Sequence, residues 1–167
     1  MATSRIRKFL FISSIALCVS AGRDEFQLMN TEQIGALKIG LSRSQALKHL
    51  DAAPKAGALK QWAADGNYHQ ELNFPKLGVS LYLVSREKNS PQTVESITVT
   101  APCTLATKLG IHLGSSEQDV TKAYKNHWNK EDSTAGSIFV AGSTFGGLSF
   151  QFKKGKVSRI FLGAASE

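Results

Sequence analysis

Cysteine is almost missing from this 167-residue chain, with only Cys18 and Cys103 present. Cys18 falls inside an N-terminal stretch that reads as an export signal, so the mature protein holds one thiol and no intramolecular disulfide, although an oxidising compartment would permit one. A disulfide scaffold is thereby excluded, and stability must come from a packed core. The roughly 145 residues after position 21 suffice for a single core without cross-links. Long apolar runs are also lacking. The longest, Phe9 to Val19, has 11 residues, against the roughly 20 that a helix needs to cross a hydrocarbon layer, so no membrane span is expected. Clustered lysine and arginine with a recognition motif are missing too, which argues against a nucleic-acid partner. Paired histidines at metal-binding spacing are absent: His49, His69, His112 and His127 are scattered and read as surface or structural residues.

What is present begins with that export signal. Arg5, Arg7 and Lys8 precede the apolar run, and Val19-Ser20-Ala21 supplies small residues before Gly22. Basic start, short apolar stretch and small-residue cleavage site form the tripartite secretion signal. Residues 1–21 are therefore assigned to a cleavable signal peptide with cleavage near Ala21, and the mature protein to the periplasm. A lipid anchor on Cys18 is disfavoured, because Leu17 stands where lipid attachment calls for a small residue. Removing Arg5, Arg7 and Lys8 from 20 basic residues leaves 17 against 13 acids, which lowers the net charge from +7 to +4. This modest excess favours an acidic protein partner or an anionic envelope surface.

Self-similarity organises the remainder. Leu37-Lys38-Ile39-Gly40 leads into Leu41 to Leu50, and Ile111-His112-Leu113-Gly114 leads into Ser115 to Tyr124, at an offset of 74. Each stretch predicts a Gly break, a Ser N-cap and an amphipathic helix. Ser42 with Gln45 and Ser116 with Asp119 have capping-box spacing, and Val120, Ala123, Tyr124 and Trp128 fall on one stripe. Alternation then takes over: Gly78 to Leu83 matches Gly147 to Phe152 at an offset of 69, and Val94 to Val99 matches Val157 to Leu162 at 63. Earlier strands are expected near Tyr68 to Phe74 and Ser137 to Val140. The expected fold is α+β in two tandem repeats, each a short helical segment on a three- to four-stranded antiparallel sheet. Its parts are a mobile arm at 22–33, repeat one at 34–99, a joint at 100–104 around Pro102, and repeat two at 105–167.

An apolar-x-apolar-Gly-x-Ser start, a short helix and a meander of apolar strands resembles the small outer-membrane assembly lipoproteins of the SmpA/OmlA type. Duplicated, the pattern is similar to the tandem fold of the β-lactamase inhibitory protein. The resemblance implies a periplasmic immunity or inhibitor protein. Two departures stand against it: the Gly-x-Pro turn that commonly ends the helix in those families is replaced by His49-Leu50-Asp51 and Lys125-Asn126-His127, and a single mature cysteine cannot supply the inhibitory protein's disulfides.

No catalytic constellation, cofactor motif or metal cluster can be read in the sequence, and the chain is expected not to be an enzyme. Gly142 to Gly147 lacks the Lys-Ser/Thr of a phosphate loop and precedes a strand, so it reads as a hairpin turn. Cys103 and His112 are the one conceivable thiol and imidazole pair, and Cys103 lacks an electropositive neighbour in sequence. The informative surface is the far side of the strands. With Val79, Leu81, Leu83, Leu148, Phe150 and Phe152 packed under the helices, and Ser158, Ile160 and Leu162 beside them, Ser80, Tyr82, Gln151, Lys153, Arg159 and Phe161 point away and are the expected partner-binding residues. The long hairpin loop Arg86 to Pro91 is a second candidate. These features lead to a protein-binding module, an inhibitor or immunity protein blocking a secreted hydrolase or toxin effector in the cell envelope. The alternative is an outer-membrane assembly accessory of SmpA/OmlA type.

Overall fold

The computed structural model describes residues 27–164; the signal read at 1–21 lies outside the described residues. In chain order the elements are α1 (Gln27–Thr31), α2 (Arg43–Leu50), β1 (Lys55–Ala56), β2 (Lys60–Gln61), β3 (Tyr68–Phe74), β4 (Val79–Ser85), β5 (Thr93–Thr100), α3 (Glu117–Tyr124), β6 (Trp128–Thr134), β7 (Ile138–Ser143), β8 (Gly146–Lys153) and β9 (Lys156–Gly163).

Both longer helices start where a serine can satisfy the first free N–H groups. Ser42 Oγ accepts from the Gln45 N–H at 3.3 Å while Gln45 Oε1 accepts from the Ser42 N–H at 3.0 Å. Ser116 and Asp119 repeat the exchange at 3.2 and 3.0 Å. Helix α3 stops at Tyr124 and passes through a 3₁₀ turn at Lys125–His127. Trp128, which helical spacing puts on the α3 stripe, instead opens β6, stays exposed and stacks on Phe139 with centroids 5.5 Å apart.

The strands form one antiparallel sheet of nine, in the order β1-β3-β4-β5-β9-β8-β7-β6, with β2 also on β3. This overturns the expectation of two tandem units, each with a helix on its own sheet. Among the described residues 44% lie in strands or bridges and 17% in helices, and β5 pairs with β9 through Ile97↔Leu162 and Thr98↔Phe161. Each of these strands closes what would otherwise be the other's open edge. The apolar faces of both halves consequently merge into a single core, from Leu72 and Leu81 through Ile97 and Ile160 to Phe150 and Phe139. Each fully buried Leu, Ile or Phe contributes ~1.5–3 kcal/mol relative to exposure.

The two central hairpins share one irregularity. Register slips between Tyr82 and Leu83 against β5, leaving Glu95 unpaired, and between Gln151 and Phe152 against β9, leaving Ser158 unpaired. A bulge adds one residue and resets the alternation beyond it. Val94, Ile97 and Val99 are therefore buried on β5, and Val157, Ile160 and Leu162 on β9. Ser158, expected inside by simple alternation, is exposed for this reason.

The N-terminal arm also departs from expectation, because its described part is anchored. Leu28 of α1 is in the core, Glu32 is buried, and Ile34 bridges to Thr107. Glu32 Oε1 accepts from the Lys108 N–H at 2.8 Å, and Glu32 Oε2 lies 2.8 Å from the Tyr124 hydroxyl. That hydroxyl also lies 2.8 Å from Thr107 Oγ1. A phenol has a single proton, so it donates to the carboxylate and accepts from the threonine.

Candidate functional site

Alternation places every second residue of β3, β4, β5, β9 and β8 on the side of the sheet away from the core. That side carries a cavity of about 730 Å³. Of the six residues singled out from sequence, Ser80, Tyr82, Gln151, Arg159 and Phe161 line it together. Lys153 does not; it ends β8, paired with Lys156 at the hairpin tip. Phe161 sits centrally, its backbone between Thr98 of β5 and Ser149 of β8. Arg159 Nη2 donates to Thr98 Oγ1 at 3.5 Å, and the Ser80 hydroxyl donates to the Asn73 side-chain carbonyl.

A group that sequence reading passed over fills the β3 end of the same cavity. The turn after β2 closes with the Trp62 N–H on the Asn67 carbonyl at 2.9 Å. This swings the Trp62 indole over His69, with ring centroids 4.3 Å apart and an interplanar angle of 26°. Tyr82 completes the cluster at 5.6 Å from Trp62 and 5.5 Å from His69. His69 is only 3% exposed. Its Nε2 meets Asp65 Oδ2 at 2.9 Å. Its Nδ1 is 3.2 Å from Glu95 Oε2, at ion-pair distance but without hydrogen-bond alignment. The β5 bulge is what brings Glu95 to this face beside Ser96. Parity could have linked His69 and Glu71 to Tyr82; the Trp62 turn and the bulged Glu95 have no periodic signature.

The electrostatics are acidic. Burial pushes the Tyr82 phenol above its ordinary pKa, and the negative charges of Glu95, Glu71 and Asp65 push the same way. The Asp65 carboxyl is held below its ordinary value, first by the Asn67 N–H and then, against some desolvation, by His69. Asp65, Glu71, Glu95 and Asp132 line the cavity against a single arginine, Arg159. The far end adds Ile138 and Val140 of β7 to Asp132, Ser143 and Thr144.

Other candidates resolve simply. Cys103 is buried, and desolvation raises its thiol pKa; a protonated thiol is a poor nucleophile. His112 is exposed, its Nδ1 2.8 Å from the Leu113 carbonyl. Gly142 to Gly147 forms the β7–β8 hairpin around Thr144 and Phe145. The long loop before β5 borders a second hollow beside Arg43, whose Nη1 donates to Gln70 and Gln92 Oε1 at 3.0 and 2.9 Å. Among the described residues no three His, Cys, Asp or Glu side chains are grouped to hold a metal ion, and no helix is long and apolar enough to cross a membrane.

No known protein family matches the chain, and no curated protein or solved structure matches it significantly.

Proposed function

We propose that this chain is an exported, non-enzymatic protein-binding module, an inhibitor or immunity protein that blocks a hydrolase or toxin effector acting in the cell envelope. The carrying observation is the cavity on the solvent side of the sheet. Ser80, Tyr82, Gln151, Arg159 and Phe161 converge there from three strands, β4, β8 and β9, and aromatic and arginine side chains among small polar ones are the composition of contact surfaces. A face built on paired strands is rigid, so little ordering entropy opposes binding.

The test is co-purification from periplasmic extract followed by an activity assay of the recovered protein. A stoichiometric partner, inhibited on binding and lost when Phe161→Ala and Arg159→Ala are introduced together, is the expected result. Failure to recover any partner at low salt counts against the reading. The SmpA/OmlA-like sequence pattern favours a second reading, an outer-membrane assembly accessory; sedimentation with the outer membrane and no inhibition of any bound enzyme would select it.

A further inference from the structure

The sign of the contact surface is opposite to that of the chain. The protein carries 20 basic against 13 acidic side chains. Yet among the described residues no lysine or arginine pairs with the carboxylates at the β3 end of the cavity. Within that described part Asp65 and Glu95 make ion-pair contacts with His69 alone, and Glu71 makes none. Three carboxylates gathered around a single histidine repel one another, which disfavours the isolated fold. An incoming cation would relieve that repulsion.

The aromatic cluster lies among these same carboxylates. Trp62 remains 37% exposed although its indole stacks on His69. The registers Glu71↔Tyr82 and Tyr82↔Ser96 put Glu71, Tyr82 and the bulged Glu95 side by side across β3, β4 and β5. An indole face is the preferred aromatic platform for a cationic side chain, and carboxylates at its margin can accept the N–H groups of a guanidinium or ammonium.

We propose that the β3 end of the cavity receives a lysine or arginine side chain from a basic segment of the partner protein, laid against Trp62 and Tyr82 and hydrogen-bonded by Glu71 and Glu95. The inference rests on the reading of this face as a protein-binding surface and adds the partner's chemistry. The acidic partner expected from net charge alone is replaced at this face by a basic one. Association is accordingly steered by charge, and its rate falls as salt rises.

The experiment uses a Trp128→Phe chain, in which Trp62 is the sole tryptophan, and follows its emission during titration. The probes are the capped peptide Gly-Arg-Gly-Arg-Gly, the matching glutamate peptide, and tetramethylammonium chloride. Saturable quenching by the arginine peptide is expected, weakened by salt and at least fivefold by Glu71→Gln with Glu95→Gln, and unchanged by Lys153→Ala. Circular dichroism of each variant confirms that any loss is not unfolding. Equal or better binding of the glutamate peptide, insensitivity to the glutamine changes, or response to tetramethylammonium alone would overturn the proposal. A co-purified partner that survives the glutamine changes but is lost with Phe161→Ala would overturn it as well, while leaving the protein-binding reading in place. No partner in any form would remove both.

Discussion

The hydroxyl of Tyr124 lies 2.8 Å from the carboxylate of Glu32, both groups buried and 92 residues apart in sequence. Burial raises the tyrosine's pKa far above its ordinary value, so the hydroxyl keeps its proton and donates at neutral pH. The bond ties the segment after α1 to α3. Tyr124→Phe leaves a buried carboxylate oxygen without its donor and should cost about 1–3 kcal/mol. Glu32→Ala removes the acceptor of the Lys108 and Gln33 N–H groups as well as of the phenol, which keeps only Thr107, and should cost more. A double-mutant cycle by urea unfolding should give a coupling of at least about 0.5 kcal/mol; additive effects would show that the bond does not matter.

The two capping boxes should part company in acid. Asp119 is held below the ordinary value of 3.8, first by the Ser116 hydroxyl and then by its N–H. Its folded pKa lies below its unfolded one, so its stabilisation is complete above about pH 4 and disappears as pH falls through the lower folded value. Gln45, its counterpart on α2, does not titrate. As pH falls through the carboxylate range, amide protection relative to the intrinsic exchange rate should therefore weaken at the start of α3 and not at the start of α2, and Asp119→Asn should abolish the difference.

Two glycines with positive φ should respond very differently to alanine. Gly78 has φ +63°, and a Cβ there would lie 2.1 Å from the Thr100 carbonyl oxygen, backbone that cannot yield. Gly78→Ala should remove several kcal/mol, more than the ~1–2 kcal/mol of left-handed strain alone, or prevent folding. Gly155 follows Lys154 (φ +54°) in the β8–β9 turn, with φ +71° and open space around it. Gly155→Ala should cost only that strain. Thermal unfolding of the pair separates steric overlap from conformational preference.

Burial of Cys103 predicts chemical silence. In a Cys18→Ser chain at neutral pH, a disulfide reagent should leave the native thiol unmodified over minutes and titrate one thiol after denaturation. Rapid native labelling would require an opening of the turn between β5 and α3 that its 8% exposure does not suggest.

Local features were legible because local physics decides them. The Ser42 and Ser116 caps, the β3 and β4 strands and the β7–β8 turn depend on contacts within a few residues. The five cavity residues could be chosen by parity alone, since alternate side chains of a strand must leave on opposite faces. Lys153 obeyed parity but lies past the end of the cavity, which parity cannot measure. Ser158 failed because a bulge interrupts the period. The Trp62, His69 and Glu95 cluster was missed because its members come from a turn, a strand and a bulge, and only the fold brings them within contact distance.

Taken alone, the amino-acid sequence determined that its two cysteines allow at most one disulfide, where α2 and α3 begin and which residues of β4 alternate, because each follows from composition or near-neighbour geometry. Tertiary structure alone decided that β5 and β9 join into one nine-stranded sheet, that Glu32 reaches Tyr124, and that acidic side chains collect around Trp62 in a basic chain. Those outcomes depend on which edges pair and which loops fold back, contacts between distant residues that no local period encodes.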